Sequence, residues 1–416
     1  MKVMLVNTVD AGSGAARASY RLHTGLLSIG VDSRFLAKTK FSNDDAVIHY
    51  GLPYGKIIDK IFNRYARFKK RNYHIKNDVS YTMAIHPDRF SSFVSRYNPD
   101  VIHLHWFSKG FIKLESLLKV SQPIVWTLHD MWAFTGGCHY TQGCDKYLNR
   151  CGACPVLNSH EPGDLSAEIF QRKEKVYRKI SKLHVVTPSH WLGQCAKESS
   201  LLKNIPVHVI PNGIDTDLFR PLSREEVRQK WHIPKDKRLI LFGALKPTGD
   251  PRKGFAQLRE ALHILSNKDG IDRSAIELMV FGAAESKELP EFGLKINFIG
   301  RVNDDRSLAE LYSAADVMIV PSLQENLSNT IMESLSCGLP VVAFDIGGNS
   351  DMIEHQKCGY LARASDHHDL AHGIEWVLQE AGKNRNLSKN AREKAVRAYA
   401  RTSVAQKHVD LYQEIM

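Results

Sequence analysis

The sequence predicts an α/β protein built from two doubly wound domains, each a parallel sheet with helices on both faces. Three observations predict this. The chain has 416 residues, more than one hydrophobic core usually supports. Short β-type runs alternate with stretches of helical periodicity. Several of the runs, such as VMIV at 317–320, are apolar throughout, which is typical of parallel strands that are buried on both faces.

The first domain is expected over residues 1–205. It begins with a strand and a glycine-containing turn, followed by a helix that ends at Gly30. Further strands follow the same alternation. The predicted strands lie at 2–8, 32–38, 100–106, 123–130 and 184–189, and the first helix lies at 16–30.

The second domain is expected over residues 206–390. The segment at 208–221, which contains Asn-Gly and two prolines, joins the domains as a turn and an extended stretch. Residues 391–416 are expected to form a helix that crosses back to the first domain. The predicted strands lie at 238–244, 276–284, 295–302, 317–322 and 340–344, with helices at 255–267 and 307–315. Open α/β sheets bind ligands at the carboxyl ends of their strands, so chemistry is expected in those loops.

Charge and hydropathy narrow the class of partner. The net charge of +11, from 56 basic and 45 acidic residues, favours an anionic partner such as nucleotide phosphates, anionic lipid or nucleic acid. No recognisable nucleic-acid motif is present, so nucleic acid is not expected. No apolar run reaches the ~20 residues that span a bilayer. The N-terminus lacks the apolar core of a signal peptide, which predicts a cytoplasmic protein.

Two glutamates near the end of the strand at 317–322 form the most informative motif. Glu325 and Glu333 are separated by seven residues, and a short helix is predicted from Asn329 or Thr330 to Gly338. Free N–H groups at its start can hold a phosphate or a sugar hydroxyl. The alternative is structural: Thr330 and Glu333 have the spacing of a capping box, and Glu325 could be a solvated loop residue.

This motif, followed by CGLPVV, resembles the signature of retaining glycosyltransferases of family 4. The resemblance implies the GT-B fold, with two Rossmann-like domains facing each other across a cleft, a UDP- or GDP-sugar donor and no metal for catalysis. It implies that Glu333 holds the ribose and Glu325 faces the donor sugar. The residues between them would supply further donor contacts: Asn326, Leu327, Ser328 and Asn329. The family usually has Gly-Phe-Gly after the first glutamate, so the departure here leaves the donor sugar open.

Two cations match the place where the family grips the donor diphosphate. Lys253, before Gly254, matches the family lysine. The position of the family arginine is occupied by Ala244, so Arg252 or Lys246 is expected to substitute. Fixed cations there would stabilise the charge of a diphosphate leaving group. The alternative is that both are surface cations in a loop.

Three residues of the first domain also match the family. Gly12 and Gly14 are similar to the N-terminal glycine loop beside the donor phosphates, where small residues permit close backbone approach; the alternative is a plain turn. His129 ends a predicted strand and matches the histidine beside the donor sugar and acceptor. Asp130 is expected to orient His129, because a neutral imidazole needs a partner to fix its tautomer.

Four cysteines crowd into residues 138–154. Cys138, Cys144, Cys151 and Cys154 predict a structural zinc site, since four thiolates can surround a tetrahedral Zn²⁺. Unliganded thiols and a redox pair are the alternatives, and His139 is a substitute ligand. A subset of bacterial polysaccharide glycosyltransferases, including colanic-acid-type enzymes, is similar here, which implies surface polysaccharide or exopolysaccharide assembly.

The segment at 56–76 combines apolar residues at near-helical spacing with clustered lysines and arginines. One interpretation is an interfacial helix on anionic lipid, which suits a polyprenyl-diphosphate-linked glycan acceptor. The other is an ordinary amphipathic helix with a solvated basic face.

The combined expectation is a cytoplasmic, membrane-associated retaining glycosyltransferase that extends a lipid-linked glycan. Two rivals remain open: a nucleotide-sugar 2-epimerase of the same architecture, and a non-catalytic sugar-binding protein on a degenerate transferase fold, which Ala244 favours.

Overall fold

A computed structural model describes residues 1–51, 55–75, 80–243, 250–282, 293–302, 304–383 and 386–416. The chain divides into two compact units. Unit 1 comprises Met1–Gly213 together with Arg401–Met416, and unit 2 comprises Ile214–Ala400. The last helix of the chain therefore belongs to the same unit as the first strand.

Each unit contains one parallel sheet among its described residues. The seven strands of unit 1 are β1 Lys2–Val9, β2 Asp32–Thr39, β3 Val47–His49, β4 Val101–Leu104, β5 Ile124–Thr127, β6 Leu183–Thr187 and β7 Val207–Val209. The six strands of unit 2 are β8 Arg238–Gly243, β9 Ile276–Phe281, β10 Lys295–Gly300, β11 Val317–Val320, β12 Val341–Phe344 and β13 Gly359–Ala362. The prediction of two doubly wound parallel sheets is confirmed.

The helices of the described residues follow in chain order. They are α1 Gly14–Ser28, α2 Gly55–Lys70, α3 Phe90–Tyr97, α4 Leu165–Tyr177, α5 His190–Glu198, α6 Arg224–Lys230, α7 Phe255–Ser266, α8 Asp305–Ala314, α9 Asn329–Ser336, α10 Asn349–Met352, α11 His367–Lys383, α12 Asn386–Tyr399 and α13 Arg401–Ile415. Among the residues the structure describes, no helix combines the length and the apolar composition that crossing a membrane requires.

The strand orders locate the ligand-binding edge of each sheet. Unit 1 has the order β3-β2-β1-β4-β5-β6-β7, and unit 2 has the order β10-β9-β8-β11-β12-β13. The direction of winding reverses between β1 and β4 in unit 1 and between β8 and β11 in unit 2. Doubly wound sheets bind ligands at the carboxyl ends of the strands at such a reversal. Ligands are therefore expected at the loops that follow β1, β4, β8 and β11.

Alternate residues of each strand face two separate cores, as a sheet covered on both faces requires. In β1, Met4 and Val6 lie in one cluster, whereas Val3 and Leu5 lie in the other. The second cluster of unit 1 also contains Val404, Val409 and Tyr412 of α13, because α13 packs against α1. A Cβ on Gly25 of α1 would lie 2.8 Å from the Arg401 side chain, so the two helices are in close contact.

Candidate functional site

The loop between β11 and α9 is fixed by the ends of α9. The Ser328 hydroxyl caps the helix and accepts the Ile331 N–H at 3.4 Å. At the other end Gly338 has φ +72°, and the N–H groups of Gly338 and Leu339 donate to the carbonyls of Leu335 and Ser334, which is a Schellman motif. Since Ser328 is the N-cap, Ile331 occupies the third helical position. Glu333 lies beyond the first turn, so the capping-box interpretation of Glu333 is wrong.

The Glu333 carboxylate is buried and held from a neighbouring helix. The side chain is 2% exposed, and it accepts a hydrogen bond of 2.9 Å from the Tyr312 hydroxyl on α8. The Tyr312 ring packs edge-on against Phe281, at the carboxyl end of β9. A buried carboxylate with a fixed orientation can bind a ligand hydroxyl selectively, because its polar atoms have already lost water.

Glu325 and Lys253 form an ion pair at the winding reversal of unit 2. Lys253 Nζ lies 2.8 Å from Glu325 Oε2, and the Asn326 N–H donates to Glu325 Oε1 at 3.3 Å. Burial alone would raise the pKa of Glu325, but the charge of Lys253 holds that pKa below its ordinary value. The Glu325 charge in turn raises the pKa of Lys253. Both groups are therefore charged at neutral pH.

Two glycines hold the Glu325 loop in place by close backbone approach. Gly254 has φ +69°, and a Cβ there would lie 1.7 Å from the Pro321 carbonyl oxygen. Gly347, which sequence reasoning missed, has φ +53°, and a Cβ there would lie 1.9 Å from the Glu325 carbonyl oxygen. The pair Gly347-Gly348 after β12 could have indicated this contact from the sequence, because adjacent glycines permit close approach of another backbone segment.

The four residues between the glutamates contribute differently. The Asn326 side chain is 3% exposed, and Leu327 packs in a hydrophobic core. Ser328 uses its hydroxyl as the helix cap, and Asn329 opens the helix. The side chains of Leu327 and Ser328 thus make contacts within the protein. These two residues can therefore contact a ligand only through their backbone groups.

Arg252 lies beside Lys253 but has a partner of its own. Its guanidinium is 2.8 Å from Asp250, and its carbonyl accepts the Leu323 N–H at 2.7 Å, which ties this turn to the loop after β11. Lys246 and Ala244, the other positions considered for the family arginine, lie outside the described residues.

In unit 1 the glycine loop after β1 leads directly into α1. Gly12 has φ +86°, and a Cβ there would meet no atom within 4 Å; Gly14 is the first helical residue. The Ser13 hydroxyl accepts the Ala16 N–H at 3.3 Å. The loop is anchored by Asp10, whose carboxylate accepts N–H groups from Phe41 and Ser42 at 2.7 and 2.9 Å. A helix N-terminus with N–H groups near a glycine loop can bind an anion.

His129, after β5, is paired with another histidine. His129 Nε2 lies 3.0 Å from His105 Nδ1, so one nitrogen donates and the other accepts. Burial lowers the pKa of His129 to about 4, with partial compensation by the Asp130 charge, and the imidazole is neutral at physiological pH. His105 is buried after β4. The sequence analysis did not single out His105. The available signal was the pattern His103-Leu104-His105 at the end of an apolar strand.

Asp130 does not have the partner that the sequence predicted for it. Its carboxylate binds His139 Nδ1 at 2.7 Å and Trp106 Nε1 at 3.0 Å, and it accepts the Trp132 N–H at 2.9 Å. Asp130 thus organises the segment around His139, while the hydrogen bond that orients His129 comes from His105. His139 also contacts Thr82 at 2.8 Å through Nε2, so it is unsuited to be a substitute metal ligand.

The four clustered cysteines line one small cavity, together with Tyr81 and Thr135. The Gly136 N–H donates to Cys151 Sγ at 3.2 Å. Burial raises the pKa of Cys138 and of Cys151 to about 12, which favours neutral thiols. Throughout the described part of the chain, no group of three or more His, Cys, Asp or Glu side chains is arranged to hold a metal ion. The zinc prediction is therefore not supported.

Comparison with known proteins agrees with this fold. Residues 12–218 match Glycosyltransferase Family 4, and residues 223–394 match Glycosyl transferases group 1. WcaC of Escherichia coli (strain K12), provisionally named a colanic acid biosynthesis glycosyl transferase, is 25% identical over 364 residues, which cover 82% of this chain and 83% of WcaC.

Two solved structures have the same fold. Sucrose-phosphate synthase from Thermosynechococcus elongatus has a TM-score of 0.68 at 19% identity, covering 99% of this chain and 98% of its own. HepE from Anabaena, in complex with UDP-glucose, has a TM-score of 0.65 at 15% identity, with 100% of both chains covered. Because the two family matches together extend from residue 12 to residue 394 with a gap of only a few residues, the chain belongs to the group 1 and family 4 glycosyltransferases and has the GT-B fold.

Proposed function

We propose that this glycosyltransferase moves a hexosyl group, with retention of anomeric configuration, from a nucleotide-diphosphate sugar to a growing glycan. The observation that carries the proposal is the Lys253–Glu325 pair beside the N-terminus of α9, at the winding reversal of unit 2. A fixed cation and a helix N-terminus suit a diphosphate, and a fixed carboxylate suits a sugar.

The donor roles follow from the chemistry of each group. Lys253 would neutralise the charge that develops on the diphosphate as the bond from the anomeric carbon to the phosphate oxygen breaks. Arg252, which forms an ion pair with Asp250, would assist Lys253 in binding the diphosphate. Glu333 would accept hydrogen bonds from the ribose hydroxyls, and Glu325 would contact the sugar. The remaining donor contacts are assigned to Asn326, Leu327, Ser328 and Asn329 of unit 2 and to Gly12 and Gly14 of unit 1.

No side chain is assigned the role of a nucleophile. In the proposed step the acceptor oxygen attacks the anomeric carbon on the face that the phosphate leaves, and the acceptor proton passes to the departing phosphate oxygen. Positioning and electrostatic stabilisation would supply most of the rate acceleration. His129 would hold the sugar or acceptor as a neutral hydrogen-bonding group, since its pKa of about 4 keeps it uncharged. His105 would set its orientation.

The acceptor is proposed to be a lipid-linked glycan of surface polysaccharide or exopolysaccharide synthesis. The name of WcaC refers to colanic acid biosynthesis, which supports a polysaccharide acceptor. HepE was solved with UDP-glucose, which favours a UDP-sugar over a GDP-sugar as the donor. We assign acceptor binding to unit 1 and nucleotide binding to unit 2. The reaction would take place on the cytoplasmic side of the membrane, where nucleotide sugars are made.

The test is turnover of a panel of UDP-, GDP- and ADP-sugars by the wild type and by Glu325→Gln. This substitution keeps the shape of the side chain and removes its charge. We expect one donor to be consumed, with release of the nucleotide diphosphate, and we expect consumption to be lost in the variant. Conversion of the donor into its epimeric nucleotide sugar, with no release of the nucleotide diphosphate, would refute the transferase reaction. Failure of every donor to bind would refute the donor site itself.

A further inference from the structure

Helix α2 of unit 1 is unusual because none of its 16 residues is buried. Four of its large apolar side chains are strongly exposed: Ile57 at 57%, Ile61 at 57%, Tyr65 at 46% and Phe68 at 54%. Within the described residues only two other large apolar side chains are at least as exposed as Tyr65, namely Phe41 at 65% and Met416 at 53%, and both lie outside α2. Contiguous exposed apolar residues usually mark an interaction surface.

The four apolar residues form a single stripe. At about 100° per residue, Ile57, Ile61, Tyr65 and Phe68 fall within an arc of about 80° on the helix surface. We call these four residues the apolar stripe. Such a narrow stripe facing solvent indicates that α2 has a second binding face in addition to the one that joins it to unit 1.

A parallel row of cations runs beside the apolar stripe. Lys56, Lys60, Arg64 and Arg67 are all exposed, and each precedes one member of the apolar stripe in sequence. We call these four residues the basic stripe. The only acidic residue within α2 is Asp59, which lies on the opposite side of the helix and pairs with Lys38 of β2 at 2.9 Å. The solvent-facing side of the helix is therefore apolar and cationic, without a compensating carboxylate.

The remaining contacts fix the direction in which the stripes point. Lys69 pairs with Glu168 of α4 at 3.0 Å, and Lys70 donates to the Tyr81 carbonyl at 2.8 Å. On the inner face the Phe62 ring lies 5.6 Å from the His86 ring. With the Lys38–Asp59 pair, these contacts hold α2 by one face along its length, so both stripes are presented outward.

We propose that α2 lies in the surface of an anionic phospholipid bilayer, with the apolar stripe inserted between the lipid headgroups and the basic stripe bound to their phosphates. The pairing of apolar side chains, including two aromatic ones, with adjacent exposed cations is typical of interfacial helices. A 16-residue helix is about 24 Å long and is too short to span the bilayer. The inference deepens the proposed function by locating its lipid-linked acceptor, but lipid binding itself requires neither donor nor acceptor.

The test is sedimentation of the full chain with vesicles of phosphatidylcholine alone or with about 30 mol % phosphatidylglycerol added. One variant replaces part of the apolar stripe, Ile57→Gln, Ile61→Gln and Phe68→Gln. A second replaces the basic stripe by Gln at all four positions. Glutamine is a good helix former, and the replaced side chains are exposed, so both variants should fold. The matched control replaces two exposed apolar residues elsewhere, Leu118→Gln and Val396→Gln.

We expect the wild type and the control to bind anionic vesicles and to bind neutral vesicles at least about tenfold more weakly. The apolar-stripe variant should lose at least about tenfold in affinity for anionic vesicles, and the basic-stripe variant should lose the preference for anionic lipid. Full binding by the apolar-stripe variant would overturn insertion. The proposal of lipid binding would be refuted if the wild type did not bind vesicles and instead used these residues to self-associate or to bind a protein or nucleic acid. Donor turnover without vesicles separates these outcomes from failure of the proposed function.

Discussion

At the scale of single residues, the candidate site of each unit depends on polar side chains whose partners are fixed before any ligand binds. Glu333 is held by Tyr312, Glu325 by Lys253 and His129 by His105. The resemblance to the glycosyltransferase family pointed to both glutamates, the lysine and His129. It could not identify His105, because the contact arises only when the carboxyl ends of β4 and β5 are aligned. The same limit explains why Asp130 was paired with the wrong histidine.

Glu333→Gln should weaken donor binding at least about tenfold, which corresponds to roughly 1.4 kcal/mol. The amide preserves the size of the side chain and can still accept the Tyr312 hydrogen bond, but it loses the charge that strengthens hydrogen bonds from ribose hydroxyls. Calorimetric titration with the donor measures the effect. Glu310→Gln is the matched control, because Glu310 is a buried carboxylate of the same unit that binds Lys230 and Trp231. An unchanged affinity in a folded Glu333→Gln variant would contradict the ribose role.

At the scale of elements, the loop after β11 is positioned by backbone contacts more than by side chains. The start and end of α9 were predictable, since Ser328 and Gly338 provide common capping chemistry. The zinc prediction is not supported by the described residues, because the spacing of four cysteines in sequence does not determine where their sulfur atoms point. Cys138 and Cys154 are buried in a cluster with Tyr81, Val156 and other apolar residues.

Gly347→Ala should destabilise unit 2 by more than about 2 kcal/mol and displace Glu325. Two costs add: strain at φ +53°, about 1 kcal/mol, and a Cβ 1.9 Å from the Glu325 carbonyl oxygen. Gly270→Ala is the matched control, since Gly270 has φ +83° with nothing within 4 Å, and only the strain applies there. Urea unfolding and donor turnover measure the two effects. Equal destabilisation by both substitutions, with normal turnover, would show that the close approach at Gly347 has no role.

At the scale of the whole molecule, the alternation of strands and helices predicted both parallel sheets because it reflects local periodicity. A C-terminal helix that returns to the first domain was expected, but local pattern could not give its packing partner: Arg401 of α13 and Thr24 of α1, which are in contact, are 377 positions apart in sequence. That packing also encloses a row of histidines. His103 contacts Tyr412 at 2.5 Å and stacks on His105, and the His408 ring lies 5.1 Å from that of His103.

The buried histidines make the stability of unit 1 sensitive to acid. Burial lowers the pKa of His129 and of His23 to about 4, that of His408 to about 3, and that of His103 and His105 well below the ordinary value. Between about pH 6.5 and pH 4 the unfolded chain binds protons that the folded chain does not, so stability falls as the pH falls. Each histidine can contribute up to roughly 1.4 kcal/mol per pH unit.

Calorimetric unfolding at about pH 7.5, 6 and 5 should show a steady loss of stability in unit 1. His408→Leu removes one of these groups, so the variant should take up about one proton fewer on unfolding. Its stability should therefore depend less steeply on pH, even if its stability at neutral pH is lower. A melting temperature that stays constant from about pH 7.5 to pH 5 would show that these histidines are not held neutral by the fold.

The most direct test of the central claim compares donor turnover by Lys253→Met and Lys268→Met. Each lysine forms one ion pair with a glutamate of unit 2 at similar exposure: Lys253 with Glu325 (45% and 14%) and Lys268 with Glu375 (50% and 12%). Loss of a cation that stabilises the departing diphosphate should lower turnover by at least about a hundredfold in Lys253→Met. Lys268→Met should match the wild type. Equal turnover by the two variants would mean that the Lys253–Glu325 pair is a structural ion pair and that the donor phosphates bind elsewhere.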